Sequence, residues 1–275
     1  MNKFQLEEIV RKALDEDIGF GDITSEIVDK NLEGSAYFLA KEDFILCGVS
    51  VAKLVFELYD SSIKVCFDCK DGERVKAGQR VGTVSGKLRS ILTCERVALN
   101  FLQRLSGIST VTAKIIDKIG KSEIVVLDTR KTTPLLRMLE KYAVKIGGGR
   151  NHRINLSDGI LIKDNHIKVC GSISKAVKQA KKIKRPLISI GVEVKNLDEL
   201  KEALEVGAEH ILLDNMSPEM VKEAIKINNG KATLEISGGI TLENISEYAL
   251  DGIDYISMGS LTHSAKAVDI SLEIE

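Results

Sequence analysis

The stretch ISIGVEVKNLDELKEALEVGAEHILLD (residues 188–214) decides the fold class. It begins with a run of β-branched and aliphatic residues, continues with helical periodicity, and ends in a second apolar run, HILLD (210–214). This is the pattern of a strand, a helix and a second strand parallel to the first. Such a right-handed crossover unit predicts a parallel sheet covered by helices.

The same alternation extends on both sides of this stretch. Six apolar runs, each followed by a helical segment, occupy residues 124–128, 159–163, 188–194, 210–214, 233–237 and 254–259. Every run ends in polar or small residues. The strands of a β/α barrel all point their carboxyl ends at one mouth, whereas an open sheet gathers ligands at one switch point. We therefore predict a parallel β/α barrel that is incomplete, with about six strands.

The residues before the barrel follow a different pattern. A short helix is predicted from Phe4 to Leu14, and short β-type runs follow from Ser35 to Gly86, interrupted by a helix over residues 49–58. A long amphipathic helix is predicted from about Leu92 to Ile119. These patterns indicate a small α+β domain ahead of the barrel. We place the first domain at residues 1–106 and the barrel at 107–264, and the tail, 265–275, is a candidate to join the first domain.

Composition and charge exclude several classes of protein. The chain has 275 residues, and 39 basic against 40 acidic residues give a net charge of −1, which argues against a binder of nucleic acid or of anionic membranes. The five cysteines are an odd number spread thinly over the chain, so no disulfide framework is expected. No apolar run reaches about 18 residues, the length that a membrane span needs. We predict a cytoplasmic protein.

Positive charge is concentrated between residues 128 and 168. This segment holds nine Lys or Arg residues and four acidic ones. A solvated helix face explains some of them, but Arg130, Lys131, Arg153 and Lys163 lie at or just before strand ends. Arginine forks and lysine point charges are what carboxylate and phosphate recognition needs, so the pattern predicts a polyanion pocket.

Two acidic strand ends, Glu193 and Asp214, lie among these cations. They either balance the charge or bind Mg²⁺, which proteins usually hold with one or two carboxylates plus substrate phosphate oxygens. Two small-residue strand ends, Ser237-Gly238-Gly239 and Gly259-Ser260, are either tight turns or phosphate sites before helix N-termini.

The histidines and cysteines give weaker signals. His152 is either structural or a ligand contact, His210 is interpreted as structural, and His166 and His263 stay open. No His or Cys spacing fits zinc. The CxxC pair, Cys66 and Cys69, is assigned no redox or metal role.

Eight motifs resemble those of one known family, in the family's order over nearly the whole chain. They are GFGDITSE (19–26), ERVALNFLQRLSGIST (95–110), DTRKTTP (128–134), KYAVKIGGGRNHRINLSDGILIKDNH (141–166), GVEV (191–194), ILLDN (211–215), EISGGI (235–240) and SMGSLTHS (257–264). They are similar to the quinolinate phosphoribosyltransferases. One departure is Leu135, where the family commonly has glycine.

The resemblance implies an N-terminal α/β sandwich domain plus an incomplete β/α barrel. It also implies a homodimer whose active sites are shared between subunits, and it leaves open whether dimers assemble into hexamers. The implied reaction joins quinolinate to phosphoribosyl diphosphate with decarboxylation, giving nicotinate mononucleotide, diphosphate and CO₂ in NAD biosynthesis, with Mg²⁺ as cofactor.

The resemblance also implies roles for individual residues. Arg130, His152, Arg153 and Lys163 would bind the two carboxylates of quinolinate, with Arg96 reaching in from the other subunit. Lys131 would contact phosphoribosyl diphosphate, and Glu193 and Asp214 its ribose or Mg²⁺. Its phosphates would be bound by Ser237, Gly238, Gly239, Gly259 and His263. Thr129 and Ser260 join the substrate-binding set, and Lys131, Lys163, Glu193 and Asp214 are the candidate catalytic residues.

Two alternatives stay open. The first is a phosphoribosyltransferase of the same fold that acts on nicotinate or on a molybdenum-pathway substrate. The second is a non-catalytic barrel that binds a phosphate ligand. Four cationic groups for one small ring favour a substrate with two carboxylates, and the presence of both Glu193 and Asp214 argues against the non-catalytic barrel.

Overall fold

The computed structural model describes residues 3–275, which form two compact units. The first comprises the chain up to Ala113 with Thr132–Gly148 and Thr262–Glu275, and the second comprises Lys114–Lys131 and Gly149–Leu261. The domain boundary between residues 106 and 107 stays a prediction. One continuous helix, Leu88–Ile119, passes that boundary without a break.

The helices are α1 (Lys3–Ile18), α2 (Val49–Tyr59), α3 (Leu88–Ile119), α4 (Arg137–Ile146), α5 (Asp164–Cys170), α6 (Ile173–Ile183), α7 (Leu197–Glu205), α8 (Pro218–Asn228), α9 (Ile245–Tyr248) and α10 (Ser260–His263). The strands are β1 (Glu33–Ala40), β2 (Phe44–Ile45), β3 (Lys64–Phe67), β4 (Arg74–Val75), β5 (Arg80–Lys87), β6 (Val125–Leu127), β7 (Ile160–Ile162), β8 (Ile190–Val194), β9 (His210–Asp214), β10 (Thr233–Ser237), β11 (Tyr255–Ser257) and β12 (Ile270–Ile274). Each of the six predicted barrel runs contains a strand. None of the helices in residues 3–275 has the length and apolar character needed to cross a bilayer.

The first unit is built on a four-stranded antiparallel sheet in the order β12-β1-β5-β3. Alternate residues of β1 are fully buried, among them Phe38. The Phe38 ring stacks on Phe67 of β3 at 4.9 Å between centroids and meets Phe56 of α2 edge-on at 6.3 Å. Helix α2 therefore packs against this face of the sheet, and the tail strand β12 pairs with β1 and forms one edge of the sheet.

The second unit is built on six parallel strands in the order β6-β11-β10-β9-β8-β7. Strands β7 to β11 follow one another without a reversal, and the first strand, β6, pairs with the last, β11. A doubly wound sheet reverses its strand order at a switch point, whereas a barrel does not. Arg150 adds one bridge to Leu127 on the free side of β6. Within residues 3–275, β6 and β7 are not paired with each other, so the predicted incomplete barrel is confirmed.

Candidate active site

A cavity of about 650 Å³ lies at the carboxyl ends of the parallel strands, and residues that follow or end all six strands line it. The predicted site residues in its lining are Thr129, Arg130, Lys131, His152, Arg153, Lys163, Glu193, Asp214, Ser237, Gly238 and Gly239. The barrel topology brings these residues together because parallel strands end at one mouth.

Four predicted site residues lie outside this lining. Gly259 and Ser260 follow β11 but do not border the cavity. Arg96 is exposed on α3 and belongs to the first unit. His263 also belongs to the first unit, where its Nδ1 lies 2.6 Å from Ser264 Oγ.

Two guanidinium groups, those of Arg130 and Arg153, lie close enough to interact. Burial lowers the pKa of Arg153, and the positive charge of Arg130 lowers it further. The Arg153 guanidinium is also oriented by a hydrogen bond to the Gly159 carbonyl at 3.0 Å. Two partly buried like charges in one cavity repel each other, so a bound dianion would relieve that repulsion.

Lys163 and Glu193 are paired. The Lys163 Nζ donates a hydrogen bond to the Glu193 carboxylate, whose side chain is only 9% exposed. Lys163 follows β7 and Glu193 lies in β8, so neighbouring strands bring the two charges together. This contact fits the charge-balance interpretation of Glu193 and leaves its carboxylate at the cavity wall.

Glu193 and Asp214 are the carboxylates that the sequence assigns to a possible Mg²⁺ ion. Glu193 is in register with Leu212 of β9, and Asp214 lies two residues further along that strand on the same face of the sheet. Two protein carboxylates leave the remaining coordination positions to substrate oxygens and water, which is the ligand set that Mg²⁺ prefers. The donor set therefore fits a magnesium ion completed by the substrate.

The Ser237-Gly238-Gly239 turn brings backbone close to the cavity. Both glycines have left-handed φ angles, +91° and +65°. A Cβ on Gly238 would lie 2.3 Å from Asn215 Oδ1, and the left-handed φ of this residue further favours glycine. Backbone amides in such a turn can reach an anion directly.

The helix N-termini that supported the phosphate prediction are weak. The helices after the last two barrel strands, α9 and α10, have four residues each. So few aligned peptide dipoles sum to little. Anion binding at Ser237–Gly239 would therefore rest on the turn's own amides rather than on a helix dipole.

Asp128 and Glu235 are buried carboxylates at the site that were not among the sequence-predicted residues. Asp128 is fully buried and accepts the His152 backbone N–H at 2.9 Å and Asn151 Nδ2 at 2.6 Å. Glu235 is fully buried in β10, and its Oε2 lies 2.7 Å from His210 Nε2 and 3.4 Å from His152 Nε2. The available signal was an acidic residue at the end of an apolar run for Asp128 and an acidic residue inside such a run for Glu235.

The pKa of Glu235 reflects competing effects. Burial alone would raise it, but hydrogen bonds from His152 and His210 outweigh the burial and lower it to about 2. The carboxylate is therefore ionised at neutral pH. Of the other histidines, His166 accepts the Lys163 backbone N–H at 3.0 Å and helps to begin α5.

A further cavity of about 690 Å³ lies in the first unit, between α1, α3 and the segment Thr133–Glu140. Its described lining contains none of the predicted site residues. Cys66 and Cys69 are both free thiols, Cys66 exposed and Cys69 buried. The absence of a role for this pair stays a prediction.

Comparison with known proteins gives consistent matches along the chain. The family model for the quinolinate phosphoribosyl transferase N-terminal domain matches residues 22–106, and that for the C-terminal domain matches residues 108–273.

Individual relatives agree with these matches. The probable nicotinate-nucleotide pyrophosphorylase (carboxylating) of Bacillus subtilis strain 168 is 42% identical over 274 residues, which cover 100% of this chain and 95% of that protein. Quinolinate phosphoribosyltransferase (decarboxylating) 2, mitochondrial, of Nicotiana glauca is 41% identical over 292 residues, 99% of this chain and 83% of that one. The crystal structure of NadC from Streptococcus pyogenes superposes with a TM-score of 0.95 at 44% identity, covering 100% and 99% of the two chains.

Proposed function

The chain belongs to the quinolinate phosphoribosyltransferase family, and on that premise we propose that it transfers the phosphoribosyl group of phosphoribosyl diphosphate to quinolinate. The products are nicotinate mononucleotide, diphosphate and CO₂, a step of NAD biosynthesis. The observation that carries this proposal is the pair of partly buried guanidiniums, Arg130 and Arg153, in the cavity at the strand ends.

Quinolinate is the proposed ligand of these cations. Its two carboxylates match the two arginine forks, and Lys163 and His152 border the same cavity. A planar guanidinium can bind a carboxylate with two parallel hydrogen bonds, which fixes the plane of the substrate ring as well as its position. A single carboxylate could pair with only one of the two guanidiniums.

Phosphoribosyl diphosphate is proposed to bind in the same cavity. Lys131 and the turn Ser237–Gly239 offer an ammonium group and backbone amides for phosphate oxygens, and Glu193 and Asp214 offer carboxylates for ribose hydroxyls or for the metal. Glu193 and Asp214 would hold Mg²⁺, which when bound neutralises charge on the diphosphate. Gly259, Ser260 and His263 keep their predicted phosphate roles as part of this proposal.

The proposed transfer step depends little on a general base, because the nucleophile already carries a free lone pair. The lone pair of the pyridine nitrogen attacks the anomeric carbon, a C–N bond forms, and the C–O bond to diphosphate breaks with its electron pair on the leaving oxygen. Lys131 would stabilise that developing negative charge because a fixed cation in a confined site needs no reorganisation. The arginine pair would hold the nitrogen in line with the anomeric carbon, which converts binding energy into orientation.

Decarboxylation follows from the product of that attack. The pyridinium ring accepts the electron pair of the adjacent C–C bond as the neighbouring carboxylate leaves as CO₂, and the ring carbon then takes up a proton. The two guanidiniums of Arg130 and Arg153 would hold that carboxylate in position, while the positive charge of the ring nitrogen stabilises the electron pair left on the neighbouring ring carbon.

Arg96 and the location complete the proposal. We assign Arg96, exposed on α3, to the quinolinate site of a second copy in a homodimer, and we leave open whether dimers assemble further into hexamers. A cytoplasmic setting is supported by the five free cysteines, since disulfides form mainly in oxidising compartments.

The test is an end-point assay of the purified protein with phosphoribosyl diphosphate and Mg²⁺. Quinolinate and nicotinate are supplied in parallel, and nicotinate mononucleotide is measured. Product from quinolinate and none from nicotinate supports the proposal. Product from nicotinate alone would support the phosphoribosyl diphosphate site but show that the arginine clamp, Arg130 and Arg153, does not bind two carboxylates. Phosphoribosyl diphosphate binding without turnover of either acid would favour a non-catalytic barrel.

A further inference from the structure

The buried centre of the barrel holds a carboxylate that the proposed reaction does not use. Glu235 occupies the middle of β10, and its neighbours in sequence, Leu234 and Ile236, are also fully buried. Strand residues alternate between the two faces of a sheet, so Glu235 faces the side opposite to these two, toward the cavity that it borders. An anion here repels an anionic substrate, so its presence calls for a compensating role.

Two histidines approach the same oxygen of Glu235. His210 Nε2 lies 2.7 Å from Oε2, and His152 Nε2 lies 3.4 Å from it. These two nitrogens and the carboxylate oxygen all lie within 4.8 Å of one another. Two ligands of one zinc ion, each at about 2.0–2.2 Å in tetrahedral geometry, would stand more than about 3 Å apart. The shorter distance to His210 is that of an N–H···O hydrogen bond.

The other ring nitrogen of His152 also has a partner. The backbone N–H of Arg153 donates to His152 Nδ1 at 2.7 Å. A backbone amide is always a donor, so Nδ1 must carry a lone pair and the ring proton must lie on Nε2, facing Glu235. Asp128 holds the same segment from its other side by accepting the His152 backbone N–H at 2.9 Å.

These contacts form one continuous series, the positioning series, which runs from the barrel centre to the arginine pair. His210 holds Glu235, Glu235 faces the proton of His152, and His152 accepts the backbone N–H of Arg153, whose guanidinium lies beside that of Arg130. We propose that Glu235, held by His210, is a positioning residue: it fixes His152 in the Nε2–H tautomer and thereby places Arg153 for quinolinate. Only the kinetic test of this proposal rests on the proposed function.

The proposal gives His152 a different part from that of a direct carboxylate ligand. Both of its ring nitrogens already face protein groups in this arrangement. Its contribution to quinolinate binding therefore comes from supporting Arg153, and the loss of Glu235 should act on quinolinate more than on phosphoribosyl diphosphate.

The kinetic test compares Glu235→Gln with a matched control, Glu209→Gln, which removes a carboxylate of the same unit that pairs with Lys184 away from the cavity. A glutamine amide can accept from only one of the two histidines and presents its own N–H donors to the other. We expect the KM for quinolinate to rise about 10- to 100-fold in E235Q, the usual range for supporting residues, with the KM for phosphoribosyl diphosphate within about twofold. E209Q should leave both unchanged.

A merely structural role for Glu235 predicts another outcome. E235Q would then lower the amount of active enzyme and the Tm while leaving the KM for quinolinate at the wild-type value, and that result would overturn the proposal. If the wild-type protein itself fails to turn over quinolinate, the proposed function fails. The positioning role of Glu235 is then tested by spectroscopy alone.

The spectroscopic test begins with the wild type, where the tautomer of His152 can be measured with the Glu235 carboxylate in place. The chain has four histidines, so nitrogen NMR of protein labelled in the imidazole rings gives four resolvable pairs, and His152→Gln assigns the pair of interest. We expect the neutral Nε2–H pattern for His152 in the wild type, and its replacement by a mixture of tautomers in E235Q or in His210→Gln. An Nδ1–H pattern for His152 in the wild type would contradict the proposal.

Discussion

The Lys163 ammonium donates a hydrogen bond to the Glu193 carboxylate across two neighbouring barrel strands. The pair places a cation proposed for quinolinate directly against an anion proposed for the metal or the ribose. This ion pair therefore joins the proposed quinolinate site to the proposed site for phosphoribosyl diphosphate and the metal, so a change in one residue should affect the binding of both substrates.

Glu193→Gln separates the two interpretations of Glu193. Loss of the carboxylate frees the Lys163 ammonium for quinolinate but removes an oxygen ligand from the proposed Mg²⁺ site. We expect the KM for phosphoribosyl diphosphate and the Mg²⁺ requirement to rise about 10- to 100-fold, which corresponds to about 1.5–3 kcal/mol for a charge-assisted contact. Steady-state kinetics at varied Mg²⁺ checks this.

The control for that substitution is Glu247→Gln, an exposed residue of α9 in the same unit. It should change neither constant. If E193Q tightens quinolinate and leaves the Mg²⁺ requirement unchanged, Glu193 serves charge balance alone.

Arg130→Ala tests the quinolinate clamp. Removing one cation from a partly buried pair leaves a substrate carboxylate without its partner, so we expect quinolinate binding to weaken by about 2–5 kcal/mol. Isothermal titration calorimetry measures the change, and Arg185→Ala, an exposed arginine outside the cavity lining, serves as control. An unchanged Kd for quinolinate in R130A would remove Arg130 from the clamp.

Subunit complementation tests the role of Arg96. The variants Arg96→Ala and Arg130→Ala should each be nearly inactive alone. If each site takes Arg130 from one subunit and Arg96 from the other, half the dimers in a co-expressed mixture are mixed and each has one intact site. About a quarter of wild-type activity should then return, as two-fold symmetry requires. A mixture no more active than its parts would place Arg96 outside the partner's site.

Leu135 is a test of backbone strain. It has a left-handed φ of 67° and is 80% exposed, at the position where the resemblance expects glycine. A left-handed conformation costs a residue with a Cβ about 1–2 kcal/mol, and glycine's greater freedom in the unfolded chain offsets about 0.4–1 kcal/mol of that.

Leu135→Gly should therefore raise the free energy of unfolding by about 0.5–1 kcal/mol, measured by urea denaturation. Leu156→Gly is the matched control, because Leu156 is also exposed but is not among the left-handed residues of the described chain. It should lower stability. Equal shifts of the same sign in both variants would show that φ strain at Leu135 is not relieved.

Much of the fold could be predicted from the sequence because two signals were clear: the apolar periodicity of helices and strands, and the polar or small residues at the strand ends. The runs 188–194 and 210–214 became β8 and β9, Ile190–Val194 and His210–Asp214, with the predicted helix between them. The two-residue strands β2 and β4 were harder to predict, since so short a pairing carries no periodic signal. The pairing of the tail strand β12 with β1 joins residues more than 200 positions apart, which no local pattern encodes.

Most of the site was predictable where polar residues ended strands, although Asp128 at the end of β6 was missed, as was Glu235 inside β10. Arg130, Lys163 and Asp214 stood out because a charge after an apolar run is visible in one dimension. Glu235 lies within such a run, and its meaning depends on His152 and His210, which come from other parts of the chain. The Lys163–Glu193 pair likewise depends on which strands are neighbours, so only the sheet order reveals it.

Release of CO₂ from labelled quinolinate tests the proposed reaction most directly. Quinolinate labelled in the carboxylate next to the ring nitrogen is incubated with the wild-type protein, phosphoribosyl diphosphate and Mg²⁺, and labelled CO₂ and nicotinate mononucleotide are counted together. We predict one labelled CO₂ for each mononucleotide, and none when phosphoribosyl diphosphate is left out. Mononucleotide formed without labelled CO₂, or no mononucleotide from quinolinate at all, would contradict the account.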